Sequence, residues 1–172
     1  MGTPVSRWAG STPLSRLNPW TDGADVDGYT IAIDTREQLP YEFPGAVVMT
    51  LPTGDYSVVG LEDRVAVERK TKADAYGSLG QGRARFRREW ERLAELDYAA
   101  VVIESSLPGF LHRPSHSKMS PRSAIGSLLG WSVRYRVPVF FAGDRDHGQA
   151  LTGKLLQMYW KYHMEVGCGS AS

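Results

Sequence analysis

A chain of 172 residues is long enough for one domain with a substantial buried core, and 42% hydrophobic against 23% charged residues excludes a disordered or fibrous polymer. A single cysteine, Cys168, excludes a disulfide framework or a cysteine zinc site, and no apolar run approaches the ~20 residues of a membrane span. The net charge of +1 hides an asymmetry: residues 64–92 hold nine Lys or Arg against four Asp or Glu, a local +5 that leaves −4 elsewhere.

Residues 1–28 are rich in Pro, Gly, Ser and Asp without a sustained period and read as an extended arm, with Trp8, Leu14, Leu17 and Trp20 apolar enough to pack on a domain surface. YTIAID (29–34) then reads as a short buried strand, AVVMTL (46–51) as a second, YSVVG (56–60) as a third and RVAVE (64–68) as a fourth, each bounded by Gly, Pro or Asp turns. Over residues 83–96, Phe86, Trp90, Leu93 and Ala94 fall on one helical face, while Arg85, Arg88 and Arg92 share another. This helix carries much of the basic segment, which suits a polyanion bound at one place; a solvated Arg-rich face is the alternative.

YAAVVIE (98–104) is a buried strand, and residues 105–119 a polar loop in which Pro114 separates His112 from His116 and argues against a helical metal pair. Ser120 and Pro121 form an N-cap and first-turn pair for a helix to about Tyr135, on which Trp131 and Tyr135 have the spacing of core or interface residues. RVPVFFA (136–142) is the last strand. Asp144 caps a final helix to about Met164, with Leu151, Leu155, Met158 and Tyr162 along one side, and residues 166–172 form a flexible tail. The expected organisation is a single α/β domain over residues 29–165, with helices flanking a mixed central sheet. With one cysteine and no charged-then-apolar leader pattern, an intracellular, cytoplasmic setting is expected.

The chemistry concentrates in Gly54-Asp55 and Glu68-Arg69-Lys70. If the strands after Asp55 and before Lys70 pair as a hairpin, their ends meet. Residues two apart on a strand project to one side, so Glu68 and Lys70 would both face Asp55. Two carboxylates and an ammonium suit a hard divalent cation such as magnesium, which prefers one or two carboxylates plus water and phosphate oxygens. Lys70 would orient or deprotonate an attacking water, or stabilise charge on phosphorus. A solvated Glu-x-Lys pair on an exposed hairpin is the alternative. Asp34 and Glu37 add carboxylates at the end of the first strand, and Asp74 adds one more four residues past Lys70. Arg36, Arg69 and Lys70 are interleaved with them. The expected catalytic set is Asp34, Glu37, Asp55, Glu68, Arg69, Lys70 and Asp74, with Asp34, Asp55 and Glu68 as metal ligands. Arg36, Arg83, Arg87 and Arg88 are candidate phosphate contacts to a polyanion, and Glu104, at its strand end, is either a structural residue or a group that reaches the metal or the residues around it.

The Asp…Glu-x-Lys arrangement is the minimal core of the restriction-endonuclease-like fold. The segments IDTREQ, LPTGDYSV and VAVERKTKAD, in this order, closely resemble the nuclease domain of the XPF-type family, also called the excision repair cross-complementing group 4 nuclease domain. Its central signature, Gly-Asp followed by Glu-Arg-Lys, three residues and Asp, stands here as Gly54-Asp55 and Glu68-Arg69-Lys70-Thr71-Lys72-Ala73-Asp74 without departure. The likeness continues through GSLGQGRARFRREWERL and SPRSAIGSLLGWSVRYRVPVFFA and covers about residues 29–163. It implies a restriction-like α/β fold, Mg2+- or Mn2+-dependent cleavage of DNA, and a preference for branched or flapped substrates, in roles tied to repair and recombination. One departure is the lack of the tandem helix-hairpin-helix modules that relatives append, so a partner protein is expected to supply further DNA grip. A homodimer is expected from the resemblance and from Gly126 and Gly130, which would let a second helix approach. Other restriction-like nucleases, such as a junction resolvase or a restriction enzyme, remain as alternatives. So does a non-catalytic subunit, although such a subunit would have lost Asp55, Glu68 or Lys70.

Overall fold

The computed structural model describes residues 28–169, with side chains to Glu165. The expected arm before Gly28 and the Cys168 side chain lie outside the described residues. The chain forms β1 (Ile31–Asp34), β2 (Val47–Met49), β3 (Tyr56–Val58), β4 (Val65–Thr71), α1 (Lys72–Leu79), α2 (Arg83–Leu93), β5 (Tyr98–Glu104), α3 (Leu107–Phe110), α4 (Pro121–Tyr135), β6 (Val139–Phe141) and α5 (Arg145–Gly169). The strands make one mixed sheet in the order β2-β1-β3-β4-β5-β6. β1, β3 and β4 are antiparallel neighbours, whereas β2 joins β1, β5 joins β4 and β6 joins β5 in parallel. This is the expected α/β class. No described helix is long and apolar enough to cross a membrane.

Both faces of the central strands are covered. Ala66 of β4 and Ala99, Val101 and Ile103 of β5 pack under α1, α2 and α4, with Phe86, Trp90 and Leu128 filling that layer. The alternate residues Val65, Val67 and Val102 pack with Ile31, Ile33, Tyr56 and Leu156 of α5 on the other face. A strand buried on both sides reads as a near-continuous apolar run, which is why YAAVVIE was so legible. Ser120 caps α4 by accepting from the Ser123 N–H, and Asp144 accepts from the His147 N–H, as expected. α4 ends at Tyr135 because Arg136 turns left-handed, with φ of 57°.

Four expectations need correction. α1 was not anticipated, although Thr71 and Asp74 form a cap: the Asp74 N–H donates to Thr71 Oγ1 and the Thr71 hydroxyl to Asp74 Oδ2. α3 interrupts the expected 105–119 loop, with Ser106 as its cap. β2 is an exposed edge strand rather than a buried one, because it pairs with β1 alone. The buried line of α5 runs through Gly148, Thr152 and Leu156, while Tyr162 is exposed. Small residues win there because the helix presses against Tyr41: a Cβ on Gly148 would stand 2.3 Å from Tyr41 Oη.

Tyr41 is fully buried and stacked on Tyr56, so it has nowhere to retreat. Gly148→Ala would gain about 1 kcal/mol of helix propensity, against roughly 1–3 kcal/mol of overpacking. The expected outcome is a net loss of stability, read as a lower denaturation midpoint with an unchanged slope. A gain would show that α5 can slide off Tyr41.

Candidate active site

The register Tyr56↔Val67 places Asp55 beside β4, with the Asp55 N–H bonded to Val67 O at 3.0 Å and the Arg69 N–H donating to Asp55 Oδ2 at 2.7 Å. Gly54 makes this approach possible. Its φ is +75°, and an added Cβ would lie 2.8 Å from Ala66 Cβ. Glu68 and Lys70 share the face of Ala66, so the hairpin brings both to Asp55 as the strand spacing predicts, and Lys70 Nζ donates to Glu68 Oε1. Asp34 also ends its strand on this wall.

The four groups differ in how their charges are met. Asp34 accepts from the Arg36 guanidinium at 2.7 and 2.8 Å and from the N–H groups of Arg36 and Leu51. Although burial works against its charge, these donors hold its carboxyl below the usual range. Asp55 is pushed up to about 7, by burial first and by Glu37 and Glu89 as well, against the pull of Lys70 and the Arg69 N–H. Glu68 is raised well above the usual range by burial and then by Asp55. Its Oε2 is buried without a hydrogen-bond partner. Lys70 is held charged: burial opposes this, but Glu68 and Glu89 outweigh it. Among the described residues no three carboxylates or imidazoles converge as a complete metal cage.

Arg69 sits between Glu68 and Lys70 in sequence, and its guanidinium turns over Tyr41 on the α5 face, while Arg69 and Glu37 both still line the cleft that holds Asp55 and Lys70. The guanidinium forks onto Glu104 at 2.7 and 3.0 Å and reaches Glu37 at 3.3 Å. Arg145 of α5 joins Glu104 at 3.6 Å and also holds the carbonyls of Leu39 and Pro40. This network pins the 35–41 loop over the sheet end. Asp74 lies at the mouth of the cleft, engaged in capping α1.

The cleft has a volume of about 510 Å³ and runs between the 36–39 loop, α1 and α2. Residue types alone missed Glu89 and left Arg85 and Arg92 without a role. Glu89 stands 3.8 Å from Lys70 Nζ, and Arg85 and Arg92 line the same recess. Positions 85, 89 and 92 recur at helical spacing, a signal that could have placed all three together. Of the expected phosphate contacts, Arg36 lines the cleft. Arg83 instead donates to Ser127 Oγ at 3.0 Å and lies over Trp131, and Arg87 pairs with Glu91 at 3.3 Å. Arg88 is exposed on the helix surface.

Arg69, Glu37 and Glu104 are each exposed by less than a tenth at the side chain. Arg69→Ala would leave two buried carboxylates without their shared cation. The expected loss is about 3–5 kcal/mol, read by denaturant unfolding, whereas Arg85→Ala on the exposed flank of α2 should stay within about 0.5 kcal/mol.

The ERCC4 domain family matches residues 33–155, most of the described chain. No curated protein sequence matches the chain. Among solved structures, XPF from Aeropyrum pernix superposes with a TM-score of 0.60 at 22% identity, covering 80% of this chain and 68% of that one. XPF from Aeropyrum pernix in complex with DNA gives 0.61 at 22% identity, covering 78% of this chain and 66% of that one. The present chain thus spans about two thirds of the length of these proteins. The likeness to these structures is one of fold, and the match over residues 33–155 shows that the chain belongs to the ERCC4 domain family.

Proposed function

We propose that the protein is a metal-dependent DNA endonuclease that hydrolyses phosphodiester bonds in branched, flapped or forked DNA. The observation that carries this reading is the wall formed by Asp55, Glu68 and Lys70. Buried Glu68 and half-buried Asp55 stand against each other there, and one oxygen, Glu68 Oε2, has no partner. Carboxylates perturbed in this way and facing a cleft support a charge-binding function there. An all-oxygen donor pair fits Mg2+ or Mn2+, which complete their coordination with water and phosphate oxygens. When bound, the ion would polarise the phosphodiester and lower the pKa of a water.

The chain's own residues do the rest. Asp55 and Glu68 would hold the cation, and the Arg69 N–H fixes Asp55. Lys70, kept protonated by Glu68 and Glu89, offers positive charge to the oxygens of the reacting phosphorus rather than acting as a base. Asp34 is occupied by Arg36 and acts by holding that arginine at the cleft. Arg36 and Arg85 would receive the backbone phosphates, with Arg83, Arg87 and Arg88 on the flanks of the same helix. The solved DNA complex of XPF from Aeropyrum pernix supports DNA as the ligand.

A homodimer through α4 belongs to this proposal. Gly126, Leu129, Gly130 and Val133 follow one another on its outer face; Leu129 is 55% and Val133 82% exposed, and a Cβ on either glycine would meet nothing within 4 Å. A second helix can lie against that face. A separate DNA-binding protein would add affinity, and the compartment is one that holds DNA.

Single-turnover cleavage of labelled flap, fork, junction and plain duplex, with Mg2+, Mn2+ or chelator, tests the activity. Asp55→Asn and Glu68→Gln should abolish cutting and also remove the rise in melting temperature that Mn2+ gives the wild type. Lys70→Ala should keep that rise and cut about 100- to 1,000-fold more slowly. Near-wild-type cutting by folded Asp55→Asn would place the metal elsewhere. For the dimer, light scattering should return twice the monomer mass for the wild type and the monomer mass for Val133→Asp; a wild type that stays monomeric at high concentration refutes it.

A further inference from the structure

The cleft does not stop at α1. Ala73 and Gly77 line it on one side and a second cavity of about 710 Å³ on the other. Gly77 leaves the sill between them low, since a Cβ there would meet nothing within 4 Å. The floor of the second cavity includes Tyr76, Pro114 and Met119, and its outer wall is the 114–119 segment with His116 and Lys118.

That wall is preformed. Lys72 Nζ holds the carbonyls of Gly109 and His112, each at 3.4 Å, and His112 Nδ1 bonds Pro108 O at 2.8 Å. The Ser117 N–H closes a turn on Pro114 O at 3.0 Å. Its charge is one-sided. All 19 Asp and Glu of the chain lie outside residues 105–143. Arg113, Lys118 and Arg122 are exposed there, and no ion pair among the described residues engages them. Arg113 directly precedes Pro114 at the start of that wall, and Lys118 lines the cavity itself.

We propose that this second cavity binds an unpaired stretch of the DNA strand that leaves the cleft, with phosphates on Arg113 and Lys118 and a base against Pro114 and Met119, which buried Tyr76 supports from below. The inference rests on reading the cleft as a DNA cleavage site. An apolar floor beside free cations matches a strand whose base faces are exposed. A duplex keeps its bases stacked inside and would present only phosphates, leaving the floor without a partner. The cavity thus gives a physical reason for choosing flapped over blunt DNA.

The test is binding by fluorescence anisotropy in chelator, so that no cutting intervenes. Wild type and Arg113→Ala/Lys118→Ala are compared on an unpaired oligothymidine, a flapped duplex and a blunt duplex. The double variant should lose roughly tenfold in affinity for the strand and the flap, with its salt slope on the strand lower by about 1.4, or 0.7 per phosphate contact. Blunt duplex affinity and the melting temperature should hold. Unchanged affinity for the strand, or an equal loss on blunt duplex, overturns the inference. A wild type that cuts DNA with Mn2+ while the variant binds as tightly overturns this inference alone; a wild type that binds no DNA overturns the nuclease reading with it.

Discussion

The two-residue period of β4 is the constraint on which both walls of the sheet depend. β4 lies between β3 and β5 with helices on both faces, so each of its side chains must enter one layer or the other. Ala66, Glu68 and Lys70 go to the layer of α1 and α2. Val67 and Arg69 go to the layer of α5. Three consecutive residues, Glu68-Arg69-Lys70, therefore serve two purposes: the outer two stand beside Asp55 in the candidate site and the middle one locks the 35–41 loop through Glu37 and Glu104. A one-residue slip of β4 would bury Arg69 among Phe86 and Trp90 and send Glu68 to Tyr56, so the apolar parity of Ala66 and Val67 guards the site as well as the core.

The two walls treat buried charge in opposite ways. Around Arg69, cations and carboxylates are matched with fork geometry, and Glu104 shares two arginines. Around Glu68, three carboxylates, from the turn before β3, from β4 and from α2, face one lysine. Breaking the first arrangement costs stability, because a charge is left alone. The second is already unbalanced, and its imbalance is what a divalent cation would relieve. Neighbouring positions are thus expected to answer substitution differently, Arg69 through the melt and Glu68 through the chemistry.

The helical layer converts this wall into a cleft. α1 begins directly at the end of β4, its first turn tied down by the Thr71 and Asp74 cap, so the motif aspartate holds the strand-to-helix corner. α2 then returns with Glu89 and Arg85 toward the strand end while Phe86 and Trp90 anchor it below, with Trp131 of α4 against them. The polar and apolar faces of α2 do separate work on the same eleven residues.

Much of this was legible without coordinates. Periodicity marked β1, β3, β4, β5, α2 and α4, the Ser120-Pro121 and Asp144 caps marked helix starts, and the Gly54-Asp55 and Glu68-Arg69-Lys70 spacing foretold that Asp55, Glu68 and Lys70 come together, because these signals are local and set by backbone geometry. The missed α1 was local too, since the Thr71-x-x-Asp74 cap stood in the sequence. What only the tertiary structure decided depends on which distant surfaces meet. The α5 face is set by how closely Gly148 lets it approach Tyr41, and the edge position of β2 by sheet order. Glu89 joins Lys70 because α2 docks at one particular rotation, and Arg83 turns to Ser127 for the same reason. The partner of Arg69 lies 35 residues away at Glu104. A period tells which residues share a face, but the direction that face points is fixed only when the helix finds its place on the sheet.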